Sequence, residues 1–211
     1  MSQLETNRLS VFYDAKRGQY DPLQQRLAHE HLLVDELCAE HDDIGYKLIH
    51  SDQMPPLDYQ VTFTGLKSIV GIDKDQLPLY GENHMLEIRM TPGYPMEPPV
   101  CYMISKVWHP NIQSEAGPFE GRICGNTEGF GSFYSLDQLI LRIRAMLAWE
   151  TYHAEMTDPY PEDENVARWV REYAEPLGIV SQGLGIDHEW TLPANWKSLV
   201  THEKKIRISM V

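Results

Sequence analysis

Basic residues and cysteines are scarce in this chain, and long apolar runs are missing. Lys and Arg number 18 against 31 Asp and Glu, a formal net charge of -13. Phosphate backbones and anionic lipid surfaces recruit proteins through clustered Lys and Arg, so a broad nucleic-acid or membrane-surface role is excluded. The single basic cluster, Lys204-Lys205-Ile206-Arg207, is short and reads as a solvated tail. No apolar run nears the roughly 20 residues of a membrane helix, and residues 1–5 have neither the charged nor the apolar region of a secretory signal. Three cysteines, an odd count at wide spacing, do not make a disulfide framework. A reducing compartment is expected, with the cytoplasm the simplest choice. Internal repeats and low-complexity stretches are also lacking. Gly129-Phe130-Gly131 lacks the remaining glycines of a dinucleotide loop. No Cys-x-x-Cys spacing exists, and His29 and His31 stand two apart, on different helix faces. No cofactor and no metal is expected.

What is present suits one globular domain with short extensions. The 211 residues include 42% hydrophobic ones, with 5 Trp and 11 Tyr to fill a core. Asp21-Pro22 reads as an N-cap followed by proline at the first helical position. The helix it opens is predicted to reach about Cys38, with Leu23, Leu27, Val34 and Leu37 as its apolar stripe and Glu30, Asp35, Glu36 and Glu40 on its exposed side. Four strands follow. Residues 46–49 form the first; Tyr59, Val61 and Phe63 alternate with polar neighbours in the second, which residues 66–72 extend or bend. A polar loop is expected over 73–83, then alternation over 84–90, then Val100, Tyr102 and Ile104. The prolines at 92, 95, 98 and 99 interrupt any ladder or helix between the last two.

Residues 108–133 show no periodicity, and a structureless segment of that length is usually functional or disordered. Ser135 and Gln138 then make a capping box, with Leu136, Leu139, Ile140, Ile143 and Leu147 on one helix face. A last helix is predicted over 162–175, its stripe Val166, Trp169, Val170 and Tyr173, ended by Pro176 and Gly178. Strands in succession followed by helices read as α+β with an antiparallel sheet.

The chemistry-bearing residues lie in the aperiodic stretch. Cys38 and Cys101 fit the behaviour of small buried apolar residues. Cys124 fits it poorly, because Gly121 and Gly125 bracket it in a loop, where backbone and substrate can approach closely. Its two readings are a buried apolar residue and a reactive thiol. His109 and Asn111 both suit a local turn, with the His109 ring bracing it. Asn111 also suits a neutral amide donor to a developing oxyanion. A cysteine protease using His109 as base is the natural competitor, although the local cysteine signature of papain-like enzymes is absent. The acidic run Asp158, Glu162, Asp163 and Glu164 suits a helix start favoured by the dipole; alternatively one carboxylate faces the thiol and helps deprotonate an attacking lysine.

Read together, Tyr94-Pro95-Met96-Glu97-Pro98-Pro99, His109-Pro110-Asn111-Ile112 and Gly121-Arg122-Ile123-Cys124 resemble the ubiquitin-conjugating enzyme family, from about Asp21 to Glu175. The resemblance implies an N-terminal helix, a four-stranded antiparallel meander, a long active-site loop and C-terminal helices. It places a catalytic domain at 21–178, between an N-terminal extension at 1–20 and a C-terminal extension at 179–211. It implies that Cys124 takes the C-terminal acyl group of ubiquitin or a ubiquitin-like modifier from an activating enzyme as a thioester and passes it to the amine of a protein substrate. It assigns Asn111 to the active-site loop or the oxyanion, His109 to the same turn, and Asp158, Glu162 or Asp163 to an acidic gate. Exchange between thioesters needs only a modestly nucleophilic thiol, so the neighbouring Glu120 and Glu128 need not disable it, whereas a protease thiol would want a cationic partner.

The chain departs from the family pattern in several places. Cys124 stands 13 positions after Asn111, longer than the family norm, with 114–120 as the apparent insertion. Met96 replaces an aromatic residue that serves RING-type ligases, and a Trp-Ser-Pro turn after the cysteine is absent. The first helix is acidic where members present basic residues to the activating enzyme, and the segment before the last helix is shorter. These departures resemble conjugating enzymes of bacterial operons that also encode a ubiquitin-like protein, an activating enzyme and a deconjugating peptidase, some of which act in defence against phage. Relatives without the cysteine act as binding modules, the rival from another class.

Overall fold

The computed structural model describes residues 3–123 and 134–180. Helix α1 (Gln3–Lys16) and a 3-10 turn (Arg17–Gln19) precede α2 (Pro22–Glu40). Strands β1 (Ile44–Leu48), β2 (Asp58–Ile72), β3 (Pro78–Arg89) and β4 (Val100–Met103) form one antiparallel sheet in that order. Helix α3 (Leu136–Leu147) and helix α4 (Glu164–Trp169), which runs on as a π-turn (Val170–Ala174), complete the fold. The expected helix, four-stranded antiparallel meander and later helices are all present. Among the described residues, no helix is long and apolar enough to cross a membrane.

Local sequence explains most element ends. The Asp21 carboxylate accepts the Gln24 N–H at 2.8 Å, the Gln24 side chain accepts the Asp21 N–H at 3.0 Å, and Pro22 follows at the first helical position. The Ser135 N–H likewise donates to the Gln138 side chain at the start of α3. The inward residues of β2 and β3, Tyr59, Val61, Phe63, Leu86 and Ile88, are wholly buried against Val34 on α2 and Ile140 on α3. Burying a large apolar side chain contributes about 1.5–3 kcal/mol, so this layer sets the register of the hairpin.

Some expectations need correction. Residues 73–83 are not a loop: β3 begins at Pro78, and the connection is a tight turn in which Asp73 Oδ1 accepts the N–H groups of Asp75 and Leu77. A register shift between Thr64 and Ser68, at Gly65 with φ of 71°, lets β2 run on to Ile72. Tyr173 is exposed and Ala174 takes its buried place. The π-turn explains the exchange, since Glu175 N bonds Val170 O five residues back and shifts the inner face by one position.

The largest correction concerns α2. Leu23 is exposed, while Glu30 and Asp35, expected on the solvent face, are buried. Glu30, at 0% exposure, pairs with Arg26. It accepts the Tyr94 hydroxyl at 2.6 Å and the Leu136 N–H at 2.6 Å. Arg26 also donates to the Tyr134 carbonyl. Burial, and next the Glu30 charge, push the Tyr94 phenol pKa upward, so it remains a donor. Asp35 is buried beside Tyr46 of β1, and His31 links that pair to α1. Tyr13 Oη lies 2.7 Å from His31 Nδ1, and Tyr46 Oη lies 2.9 Å from His31 Nε2. Because the Tyr46 hydroxyl donates to Asp35 Oδ1 at 3.1 Å, it accepts from His31 Nε2–H, and His31 Nδ1 accepts from Tyr13.

Removing one partner of a buried ion pair leaves the other charge uncompensated, at about 3–5 kcal/mol. Glu30→Ala is therefore expected to lower unfolding free energy by about 3 kcal/mol in urea titrations. Glu30→Gln, which keeps an acceptor for Leu136, should cost less.

Candidate active site

The peptide leading to Cys124 is held by backbone pairing on both sides. Met103 N donates to Gly121 O at 2.7 Å and Ile123 N to Cys101 O at 3.1 Å, placing residues 121–123 beside β4 with Tyr102 opposite Arg122. On the far side Gly121 N donates to Gln113 O at 2.8 Å and Gln113 N to Arg122 O at 2.9 Å, while Ile112 pairs with Ile123. The insertion at 114–120 is thus a hairpin closed at its base. This ordered part corrects the expectation that the whole of 108–133 lacks structure. Gly121 has φ of +78°, and a Cβ there would meet Met103 O at 2.1 Å. Only glycine allows β4 to come this close. Cys124 itself lies outside the described residues, one peptide bond beyond buried Ile123.

His109 and Asn111 are brought together with the loop that follows α3. His109 is wholly buried, its Nδ1 accepting the Asn111 N–H at 3.2 Å and its ring centred 4.8 Å from that of Trp149. Burial lowers its pKa from 6.5 to about 3, with the Thr151 backbone opposing. The ring is neutral and braces its own turn. Asn111, 3% exposed, accepts the His153 N–H on Oδ1 at 2.9 Å and directs Nδ2 to the His153 carbonyl at 3.5 Å. Its carboxamide therefore ties the His-Pro-Asn turn to residues 151–154. Trp149 turns that loop away from α3 with φ of 59°. A side chain in this region costs about 1–2 kcal/mol; edge contacts with Tyr152 and Trp169, centroids at 5.4 and 6.3 Å, offset it.

The acidic candidates divide sharply. Asp158 is exposed and, among the described residues, makes no ion pair or hydrogen bond with His109 or Asn111. Glu162 accepts Arg122 Nε at 2.6 Å. Asp163, expected as a gate candidate within a helix start, is buried and caps α4: Oδ1 accepts Asn165 N and Val166 N at 3.0 Å each. Its Oδ2 accepts Ser114 N at 3.0 Å and Ser114 Oγ at 2.5 Å, and its own N–H donates to Pro110 O at 3.0 Å. Sequence reasoning missed Ser114, Arg122 and His153 as partners, since each bond spans about 40 or more residues. The available signal was Asp163 followed by Glu164-Asn165-Val166, an N-cap pattern.

The other cysteines are unsuited to chemistry. Cys38 and Cys101 are buried free thiols whose pKa burial pushes up to about 12, Asp35 adding to the effect at Cys38. A thiol so raised presents almost no thiolate near neutral pH.

A family model described as ubiquitin-conjugating enzyme matches residues 60–173, more than half of the chain. The chain belongs to the ubiquitin-conjugating enzyme family. It is 32% identical over 115 residues to ubiquitin-conjugating enzyme E2 K of Homo sapiens and of Bos taurus, covering 54% of this chain and 52% of each relative. It thus spans about half the length of the curated relatives it matches. A shorter match to ubiquitin-conjugating enzyme E2 27 of Arabidopsis thaliana is 48% identical over 40 residues, 19% of this chain and 21% of that one. Among solved structures, a ubiquitin-conjugating enzyme E2 domain of Toxoplasma gondii aligns with a TM-score of 0.49 at 24% identity, covering 71% of this chain and 87% of that one.

Two outcomes follow from this conjugating-enzyme domain. Gly121→Ala should cost about 2 kcal/mol or more, from the left-handed backbone plus displaced β4 contact, and should speed amide exchange at Met103. Acid should also weaken the fold. His109 and His31, the latter lowered by burial to about 4 with Asp35 opposing, stay neutral when folded but take a proton near 6.5 when unfolded. Their contribution is complete above about pH 6.5 and falls as pH drops toward about 3–4, by about 1.4 kcal/mol per pH unit for each histidine. Denaturation across that range in wild type and His109→Gln should show a shallower slope in the variant.

Proposed function

We propose that this chain carries an acyl group of ubiquitin or a ubiquitin-like modifier on Cys124 and delivers it to an amine of a protein substrate. The Cys124 sulfur attacks the thioester held by an activating enzyme; the new S–acyl bond forms, and the enzyme's cysteine leaves as a thiol with the displaced proton. A lysine amine then attacks the Cys124 thioester, an amide forms, the lysine proton passes to water by way of Asp158, and the Cys124 thiolate leaves. The observation that carries this reading is the two-sided pairing of residues 121–123, which fixes the chain one peptide bond before Cys124 and next to the Asn111 turn. Burial of Cys38 and Cys101 leaves Cys124 as the thiol for the role.

Asn111 acts chiefly by holding the loop after α3 in place, because both ends of its carboxamide engage the His153 backbone. Asp158 is an exposed carboxylate on that loop and serves as the acidic gate. His109 keeps the turn rigid and stays neutral, and a base lowered to about 3 is too weak to activate a protease thiol near neutral pH. The catalytic domain spans 21–178, and the partners are the modifier, its activating enzyme and the protein substrate. A cytoplasmic site of action suits the reduced thiols, and the departures from the family pattern fit the branch encoded in bacterial modifier operons.

The test uses ubiquitin, a ubiquitin-activating enzyme and ATP, followed by a non-reducing gel, repeated with the ubiquitin-like protein of the chain's own operon where one is encoded. A thiol-sensitive adduct should form on wild type, Cys38→Ala and Cys101→Ala and vanish in Cys124→Ala. No adduct with either modifier would favour a binding module, and Cys124-dependent peptide cleavage would favour a protease.

A further inference from the structure

The insertion at 114–120 is welded to the start of α4. Ser114 gives both its N–H and its hydroxyl to Asp163 Oδ2 at 3.0 and 2.5 Å. Asn165 Nδ2 donates to Glu115 Oε1 at 2.7 Å, and Gln113 Nε2 to the Glu162 carbonyl at 3.3 Å. Arg122, at the other end of the hairpin, pairs with the Glu162 carboxylate and stacks 4.4 Å from the Phe119 ring. The buried Asp163 simultaneously caps α4 and holds the Pro110 carbonyl. The loop bearing Asp158 is therefore fixed at its far end by the insertion, just as Asn111 fixes its near end at His153.

We infer that Ser114 and Asp163 are positioning residues for acyl transfer, through which the insertion fixes the loop that carries Asp158. This rests on the function proposed above and extends it. Carboxylates make their strongest bonds to several donors at once, and Asp163 satisfies four from two elements with one buried charge. The contact is expected to leave uptake of the acyl group unchanged, because exchange between thioesters needs only a modestly nucleophilic thiol and no carboxylate from the Asp158 loop. Its effect falls on the second step, where the attacking amine must be held in line and relieved of a proton.

Asp163 is buried and caps a helix, so its loss risks unfolding; Ser114→Ala and Ser114→Thr are the informative variants. Each full-length protein is loaded from ubiquitin bearing a C-terminal mercaptoethanesulfonate thioester, then discharged onto free lysine over a concentration series. Ser114→Ala should load to the wild-type extent but discharge about three- to tenfold more slowly at saturating lysine, as loss of about one ordinary hydrogen bond implies, the Ser114 N–H contact remaining in place. The lysine concentration for half-maximal rate should stay unchanged, and Ser114→Thr should restore the rate. Discharge at the wild-type rate in Ser114→Ala would overturn the inference, as would parallel losses of loading and thermal stability. If wild type takes up no ubiquitin, the underlying reading fails for that modifier, and amide exchange decides the clamp alone. Faster exchange confined to residues 150–163 in Ser114→Ala supports it, and unchanged exchange there overturns it.

Discussion

One buried carboxylate joins parts of the chain that lie far apart in sequence. Glu30 bonds Tyr94, 64 residues on, and the first N–H of α3, 106 residues on, while Arg26 neutralises it and reaches the Tyr134 carbonyl. An isolated buried charge would be costly, and mutual attraction repays the desolvation only when the remaining lone pairs are also satisfied. Here both Glu30 oxygens have donors, one of them at a helix N-terminus where negative charge is favoured. The proline-rich turn before β4 and the start of α3 consequently cannot move independently of α2. Because β4 in turn carries residues 121–123, the chain entering and the chain leaving the 124–133 segment are both tied to the same helix-and-sheet frame.

A second apolar cluster does for the α4 side what the sheet does for β4. Trp149, Tyr152, Val166, Trp169 and Val170 pack around the end of β2 at Ile69, and the Trp169 indole N–H reaches the Gln76 carbonyl at 3.0 Å. Inserted into this cluster, His109 has no route to solvent, which fixes both its neutrality and the shape of the turn that presents Asn111. The strained Trp149 backbone is tolerated because reversing it would pull a large aromatic group out of the cluster. A backbone with φ above zero in a bulky residue thus marks the point where packing outweighs local conformational preference.

Elements governed by local rules were legible in the sequence. Asp21-Pro22, the alternation around Val61 and Ile88, and Ser135 with Gln138 each name their element because cap chemistry and period-2 patterning act over a few residues. The solvent face of α2 was misjudged for the opposite reason. A helical-wheel argument assumes one covered face, yet Tyr13 of α1 covers His31, Tyr46 of β1 holds Asp35, and Tyr94 and α3 cover Glu30, and none of these partners is signalled within α2. The exchange of Tyr173 for Ala174 was equally hidden, since a π-turn alters the period by which the stripe is counted. At the site, the Asn111 turn and the glycine before the cysteine could be picked out from residue type, but their partners Ser114, His153 and Arg122 came only with the fold.

Charge placement gives the acidic loop its division of labour. In a chain of net charge -13, carboxylates crowded into one segment would repel one another if all were free. The fold commits Glu162 to Arg122 and spreads the Asp163 charge over four donors, leaving Asp158 exposed on the same loop. The acidic run thus divides by which oxygens already have donors: Glu162 and Asp163 are committed to holding the fold together, and Asp158 is left to solvent.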